Sequence, residues 1–193
     1  MRTRARAEIA AYTRQLSAVA VVFRRAARRF VPWKNGGGRT AEILASPAGA
    51  GLDDFAWRIS TAEVAASGPF SLFSGAQRCL TVIEGGCLRL GFADGTLLEV
   101  SPGSAPAYFP GDVPCSCELR GAPVLDLNVM VRPPWRATVR PLNGAGTGAA
   151  PVHKRFLFML EDMPGLGLEH YDLLDISTQP ARLSGHALLI EIF

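Results

Sequence analysis

Five polar side chains lie inside otherwise apolar runs, and their types and spacing suit the binding of a small anion. Arg58 and Ser60 alternate within Trp57–Thr61, Asp126 and Asn128 alternate within Val124–Val131, and Arg78 opens the run at 78–85. Residues i and i+2 of a strand share a face, so each alternating pair points to one side. A guanidinium fork can take a carboxylate through two parallel N–H···O bonds, while an amide and a hydroxyl fix its orientation. Arg58 or Arg78 is the candidate for that contact, with Ser60, Asp126 and Asn128 around it. The same alternation also fits faces turned to solvent, and the sequence leaves both open.

A second candidate is the loop Trp33-Lys34-Asn35-Gly36-Gly37-Gly38. Successive glycines permit positive φ and let backbone N–H groups approach a ligand as an anion nest, with Trp33 as an apolar wall and Asn35 as a polar handle. Alternatively the loop is a conformationally demanding crossover between sheet edges, with Trp33 plugging the end of a barrel. The GxxxxGK[ST] spacing of a phosphate loop is absent.

Other chemistries lack their residues. Cys79, Cys87, Cys115 and Cys117 contain no CxxC, and His153, His170 and His186 are spaced too widely to act as a ligand pair. No metal and no cofactor is expected, and the three histidines read as structural. No serine sits in a GxSxG elbow, so no catalytic residue is assigned. The rival reading is a metal-independent isomerase or lyase using Glu84, Asp112 or Asp126 as acid and base. Phe70, Phe73, Tyr108 and Phe109 read as core or rim packing.

The elements that must position these groups are short strands. Candidates run over 41–45, 55–64, 78–85, 87–92, 96–101 and 124–131, separated by turn signals such as Glu-Gly-Gly and Ala-Asp-Gly. Residues 124–131 show the clearest period-two pattern. Many short strands at such spacing predict an all-β sandwich, jelly roll or barrel. Residues 1–18 read as a flexible or helical extension and 19–193 as one domain. A Gly/Ala-rich connector over 141–151 divides it into a main roll over about 31–140 and a second half over about 151–193. Arg155–Glu161 echoes Arg78–Glu84, and Leu173–Ser177 echoes Leu97–Ser101, which suggests an internal repeat.

Composition narrows the class. The formal net charge is +3; eight arginines against Glu8 give +7 up to residue 29, so the remainder carries −4. A mildly acidic body gives no support for nucleic-acid binding. With 48% apolar residues the 193-residue chain can bury a core, and no run reaches the roughly 18 apolar residues of a membrane span. Reduced thiols fit a cytoplasmic setting.

Residues 80–114, LTVIEGGCLRLGFADGTLLEVSPGSAPAYFPGDVP, resemble the cupin superfamily, although no histidine stands where metal cupins keep theirs. Val31–Ile43, Trp57–Gly86, Tyr108–Leu119 and Gly121–Arg132 resemble the HutD/Ves family, above all through Trp-Lys-Asn-Gly-Gly-Gly. That resemblance implies a cytoplasmic bicupin with an RmlC-like jelly-roll fold, built as a double-stranded β-helix of two packed halves and linked to histidine utilization or stress response. It implies a ligand-binding protein that senses or buffers a histidine-pathway intermediate, a small carboxylate such as urocanate or formylglutamate. An exposed sheet edge could serve a homodimer; neither nucleic acid nor membrane is expected as a partner.

Overall fold

The computed structural model describes residues 21–142, 151–178 and 186–193; the extension expected over 1–18 and most of the connector over 141–151 lie outside them. The described chain is built of strands. They are β1 (Val21–Phe23), β2 (Val31–Pro32), β3 (Gly38–Ser46), β4 (Trp57–Val64), β5 (Gly68–Pro69), β6 (Gln77–Glu84), β7 (Cys87–Phe92) and β8 (Leu97–Val100). Then come β9 (Ala107–Pro110), β10 (Cys115–Arg120), β11 (Val124–Val131), β12 (Ala137–Pro141), β13 (Lys154–Met159), β14 (Leu173–Asp175) and β15 (Ala187–Ile192). Among the described residues no helix is long and apolar enough to cross a membrane.

Turn chemistry sets these lengths. At Ala93–Gly95, Asp94 Oδ1 accepts the Thr96 N–H at 2.9 Å and Gly95 takes a φ of +85°, which turns β7 back onto β8. Gly38 is required by space: a Cβ there would stand 2.3 Å from the Glu63 carbonyl oxygen.

The chain divides into two compact units. Arg28–Val139 is one, and Arg140–Phe193 with the chain before Arg28 is the other. The first carries a six-stranded antiparallel sheet in the order β2-β3-β4-β11-β6-β9 and a four-stranded one in the order β5-β10-β7-β8. Val64, Leu80, Val82, Phe109 and Val124 of the larger sheet share a core with Leu88, Leu90, Val100, Cys115 and Cys117 of the smaller. Two antiparallel sheets closed on such a core make the cupin-type roll.

The second unit holds the strands β1-β14-β13-β15, paired in that order, with its own core around Leu157, Leu174 and Leu189. The echoed segments do not occupy matching places in the two units. β6 and β8 lie in different sheets of the roll, whereas β13 and β14 pair directly, Phe156 opposite Asp175. Apolar strands of similar composition suffice to produce such an echo.

One arginine ties together the loops that precede β4 and β6. Arg132 donates from Nη1 to Phe55 O at 2.6 Å, from Nη2 to Leu52 O at 3.2 Å and from Nε to Ser74 O at 3.1 Å, with its guanidinium 4.0 Å from the Phe55 ring centroid. Arg132→Ala is expected to destabilise the chain by about 2–3 kcal/mol, since several charge-assisted bonds and a stacked face go together. Arg132→Lys is expected to recover little, because an ammonium lacks the planar fork. Urea unfolding checks this: a lowered midpoint at unchanged slope is the expected result.

Candidate functional site

Strand register converts the scattered polar residues into rows. Across β4, β11 and β6 the rungs read Arg58–Met130–Arg78, then Ser60–Asn128–Leu80, then Ala62–Asp126–Val82, with Val64–Val124 beyond. Leu80, Val82, Val64 and Val124 belong to the core shared with the four-stranded sheet, so this whole face looks inward. Arg58, Ser60, Arg78, Asp126 and Asn128 are therefore all on the interior side, and all are buried. The opposite rows, Ile59–Val129–Cys79 and Thr61–Leu127–Thr81, are buried as well, which makes this the most enclosed part of the sheet.

The two arginines stand differently. Arg58 is neutralised: Nε meets Glu42 Oε2 at 2.9 Å and Nη1 donates to Ser60 Oγ at 3.1 Å. Arg78, 7% exposed, has no carboxylate at ion-pairing distance among the described residues. Its guanidinium lies among three rings, 5.1 Å from the Phe70 centroid, 5.4 Å from Phe73 and 5.0 Å from Phe109, and among the described residues its hydrogen bond is a long one of 3.4 Å to Ser71 O. Ring faces attract a cation without using its N–H donors, so the donors stay open to a guest. Burial lowers the Arg78 pKa to about 10, which leaves it charged near neutrality.

Asp126 is the matching acid, 2% exposed. Burial pushes its carboxyl up to about 7, against the pull of Arg78 and of the Ala62 backbone hydrogen bond. From the facing strand, Cys115 and Cys117 enter the same core; burial raises both thiols, Cys117 to about 12, so they stay neutral. Arg78 Nε, Asp126 Oδ1 and Asn128 Oδ1 are buried without a hydrogen-bond partner. Buried polar atoms are normally satisfied, and three orphans on one face mark where a polar molecule would recover the missing bonds.

The glycine loop is built otherwise. Gly36 N–H donates to Trp33 O at 3.0 Å and Gly37 N–H to Asn35 Oδ1 at 3.0 Å, so these two donors are consumed within the turn. Lys34, Asn35 and Gly36 are exposed. Trp33 packs on the roll core, donating from Nε1 to Thr40 Oγ1 at 2.7 Å and meeting Phe70 edge-on at 6.3 Å between centroids. Through Phe70 the tryptophan thus supports the ring cage of Arg78. The candidate set separates into five strand residues that the fold gathers and a loop that reaches them only through that packing.

The sequence did not single out Met130, Cys115 or Cys117 as interior neighbours, nor Glu42, exposed at the edge of this face, as the partner of Arg58. For the cysteines the spacing of Cys115-Ser116-Cys117 was the signal, since i and i+2 share a face. For Glu42 none existed: its contact with Arg58 depends on the pairing of β3 with β4, where it stands opposite Ser60. Glu84 and Asp112 are exposed and are not among these interior residues. Among the described residues no group of three or more His, Cys, Asp or Glu is gathered to hold a metal ion.

An acid whose folded pKa lies above its unfolded value of about 3.9 costs stability as pH rises between the two. Asp126→Asn is therefore expected to gain stability relative to the native chain from about pH 4 to pH 7, by about 4 kcal/mol at most, and to hold a constant difference above that range. Denaturant titrations of both proteins across that range measure it; a difference independent of pH would exclude the raised carboxyl.

Comparison with known proteins matches this architecture. The HutD family model covers residues 25–174. An uncharacterized 21.2 kDa protein from the hutC 3′ region of Pseudomonas putida is 41% identical over 115 residues, 59% of this chain and 60% of that protein. Protein Ves of Citrobacter koseri is 38% identical over 101 residues, 52% of this chain and 51% of its own length. The matched stretches thus span between half and two thirds of those two relatives. Among solved structures, HutD from Pseudomonas fluorescens SBW25 superposes with a TM-score of 0.76 at 32% identity, over 90% of this chain and 98% of that one. A conserved protein of unknown function from Pseudomonas aeruginosa PAO1 gives 0.70 at 31% identity, over 90% and 91%. With the family model spanning well over half of its residues, the chain belongs to the HutD family.

Proposed function

We propose that the interior of the roll at Arg28–Val139 binds a small organic carboxylate, and that the protein senses or buffers such a metabolite instead of transforming it. Arg78 carries this reading: it is a buried, ring-caged guanidinium with no carboxylate at ion-pairing distance among the described residues and Asp126 acting on it only from further off, so an entering anion would give its donors the direct partner they lack. Asn128 and Asp126 sit one and two rungs further along the same face and would orient the guest. The relative from the hutC region supports an intermediate of histidine utilization, with urocanate and formylglutamate as the test ligands. Formate is the smallest probe, and the solved HutD structure is described for a formate condition.

The experiment is calorimetric titration of the full chain with the three acids. Saturable binding of at least one is expected; none at millimolar concentration, by a folded protein, overturns the reading. Arg78→Met should weaken binding about a hundredfold, the worth of a lost charge-assisted fork. Its unfolding midpoint near pH 6 should not fall, since an apolar side chain of similar length replaces an uncompensated buried charge. A loss of stability in step with the loss of binding would make Arg78 a structural residue.

A further inference from the structure

Resting on that reading of the interior as an anion site, we infer that the site takes up its anion together with one proton, which Asp126 holds. With Arg58 already paired to Glu42, the interior keeps two uncompensated groups, Arg78 and Asp126. Ionised, they sum to zero. A carboxylate entering beside them would leave one net negative charge buried, a costly state unless the nearest acid is protonated. A proton from solvent on Asp126 restores neutrality and turns an atom now lacking a partner into part of a donor group. Its O–H would then donate to the incoming carboxylate while the Arg78 fork donates to it as well, and no covalent bond in protein or ligand is broken.

The neighbours leave Asp126 as the group that can respond. Acting on it are Arg78 from β6 and Cys117 from β10; Arg58 from β4 and Cys115 from β10 act on Arg78, Glu42 from β3 pairs with Arg58, and Cys87 at the start of β7 lies by Cys117. Arg58 and Glu42 are locked in their ion pair, Arg78 stays cationic, and the Cys115 and Cys117 thiols are held neutral by burial. Strands β9 and β8 contribute Ala107, Phe109 and Val100 to this core. A carboxyl raised to about 7 is poised for the exchange near neutral pH.

The test is titration of the full chain with formate and with urocanate at about pH 8 in phosphate and in Tris, buffers whose heats of protonation differ. Heats that differ between the two by close to one proton per anion are expected, with affinity falling about tenfold per pH unit between about pH 7 and pH 9. In Asp126→Asn the heats should coincide and whatever affinity remains should not vary with pH. Binding with equal heats in both buffers overturns the proton uptake and leaves the anion site standing. Uptake that persists in Asp126→Asn overturns the assignment to Asp126. No binding of either acid by folded native chain overturns the anion site and this inference with it; should the variant not fold, the two-buffer comparison on the native chain decides.

Discussion

Arg78 and Asp126 occupy the interior face of one sheet without an ion pair between them, and the roll around them is arranged to tolerate that. Removing a charge from water costs several kcal/mol unless something replaces its hydration. Here the replacement is partial: ring faces surround the guanidinium, and the carboxyl moves toward its neutral form. A fold selected for stability alone would have filled these rungs with apolar side chains, as it did at Val64 and Val124. The polar rows are where this chain departs from that rule, and such departures concentrate at functional sites.

Much of the local structure was legible from side-chain alternation and turn residues. β7 and β11 have the bounds that the apolar run at 87–92 and the alternation over 124–131 indicate; β7 buries Leu88 and Leu90 at period two, whereas β11 is buried on both faces. The interior residues Arg58, Ser60, Arg78, Asp126 and Asn128 were also readable as pairs sharing a face. What the sequence could not supply was which face turns inward and which strands are neighbours. β11 lies between β4 and β6, and β1 pairs with β14, although long stretches of chain separate them; no local pattern encodes a pairing of that range. Glu42 was hidden for a related reason, since its contact with Arg58 comes from the pairing of β3 with β4.

Arg58, Arg78 and Arg132 each contact an acid or an aromatic ring in the roll, and only their other partners tell them apart. Arg132 spends its donors on three backbone carbonyls and so acts as a clamp for loops. Arg58 spends Nε on Glu42 and Nη1 on Ser60. Arg78 retains donors, and that difference separates an arginine that holds the fold from one available to a visitor. Sequence shows three similar residues inside or beside strands; the hydrogen-bond accounting is what distinguishes them.

The strand order has a consequence for how the chain is made. β4 and β6 both wait for β11, the last strand of the six to be synthesised, before their shared sheet can form. On a chain growing from the ribosome β4 can pair with β3, and β6 with β9, but the edge each offers to β11 stays open until that strand emerges. The cost of taking charge out of water is deferred until the segment that brings Asp126 and Asn128 is free to insert between them, so the chamber's cation and its counterweight become enclosed in a single late event.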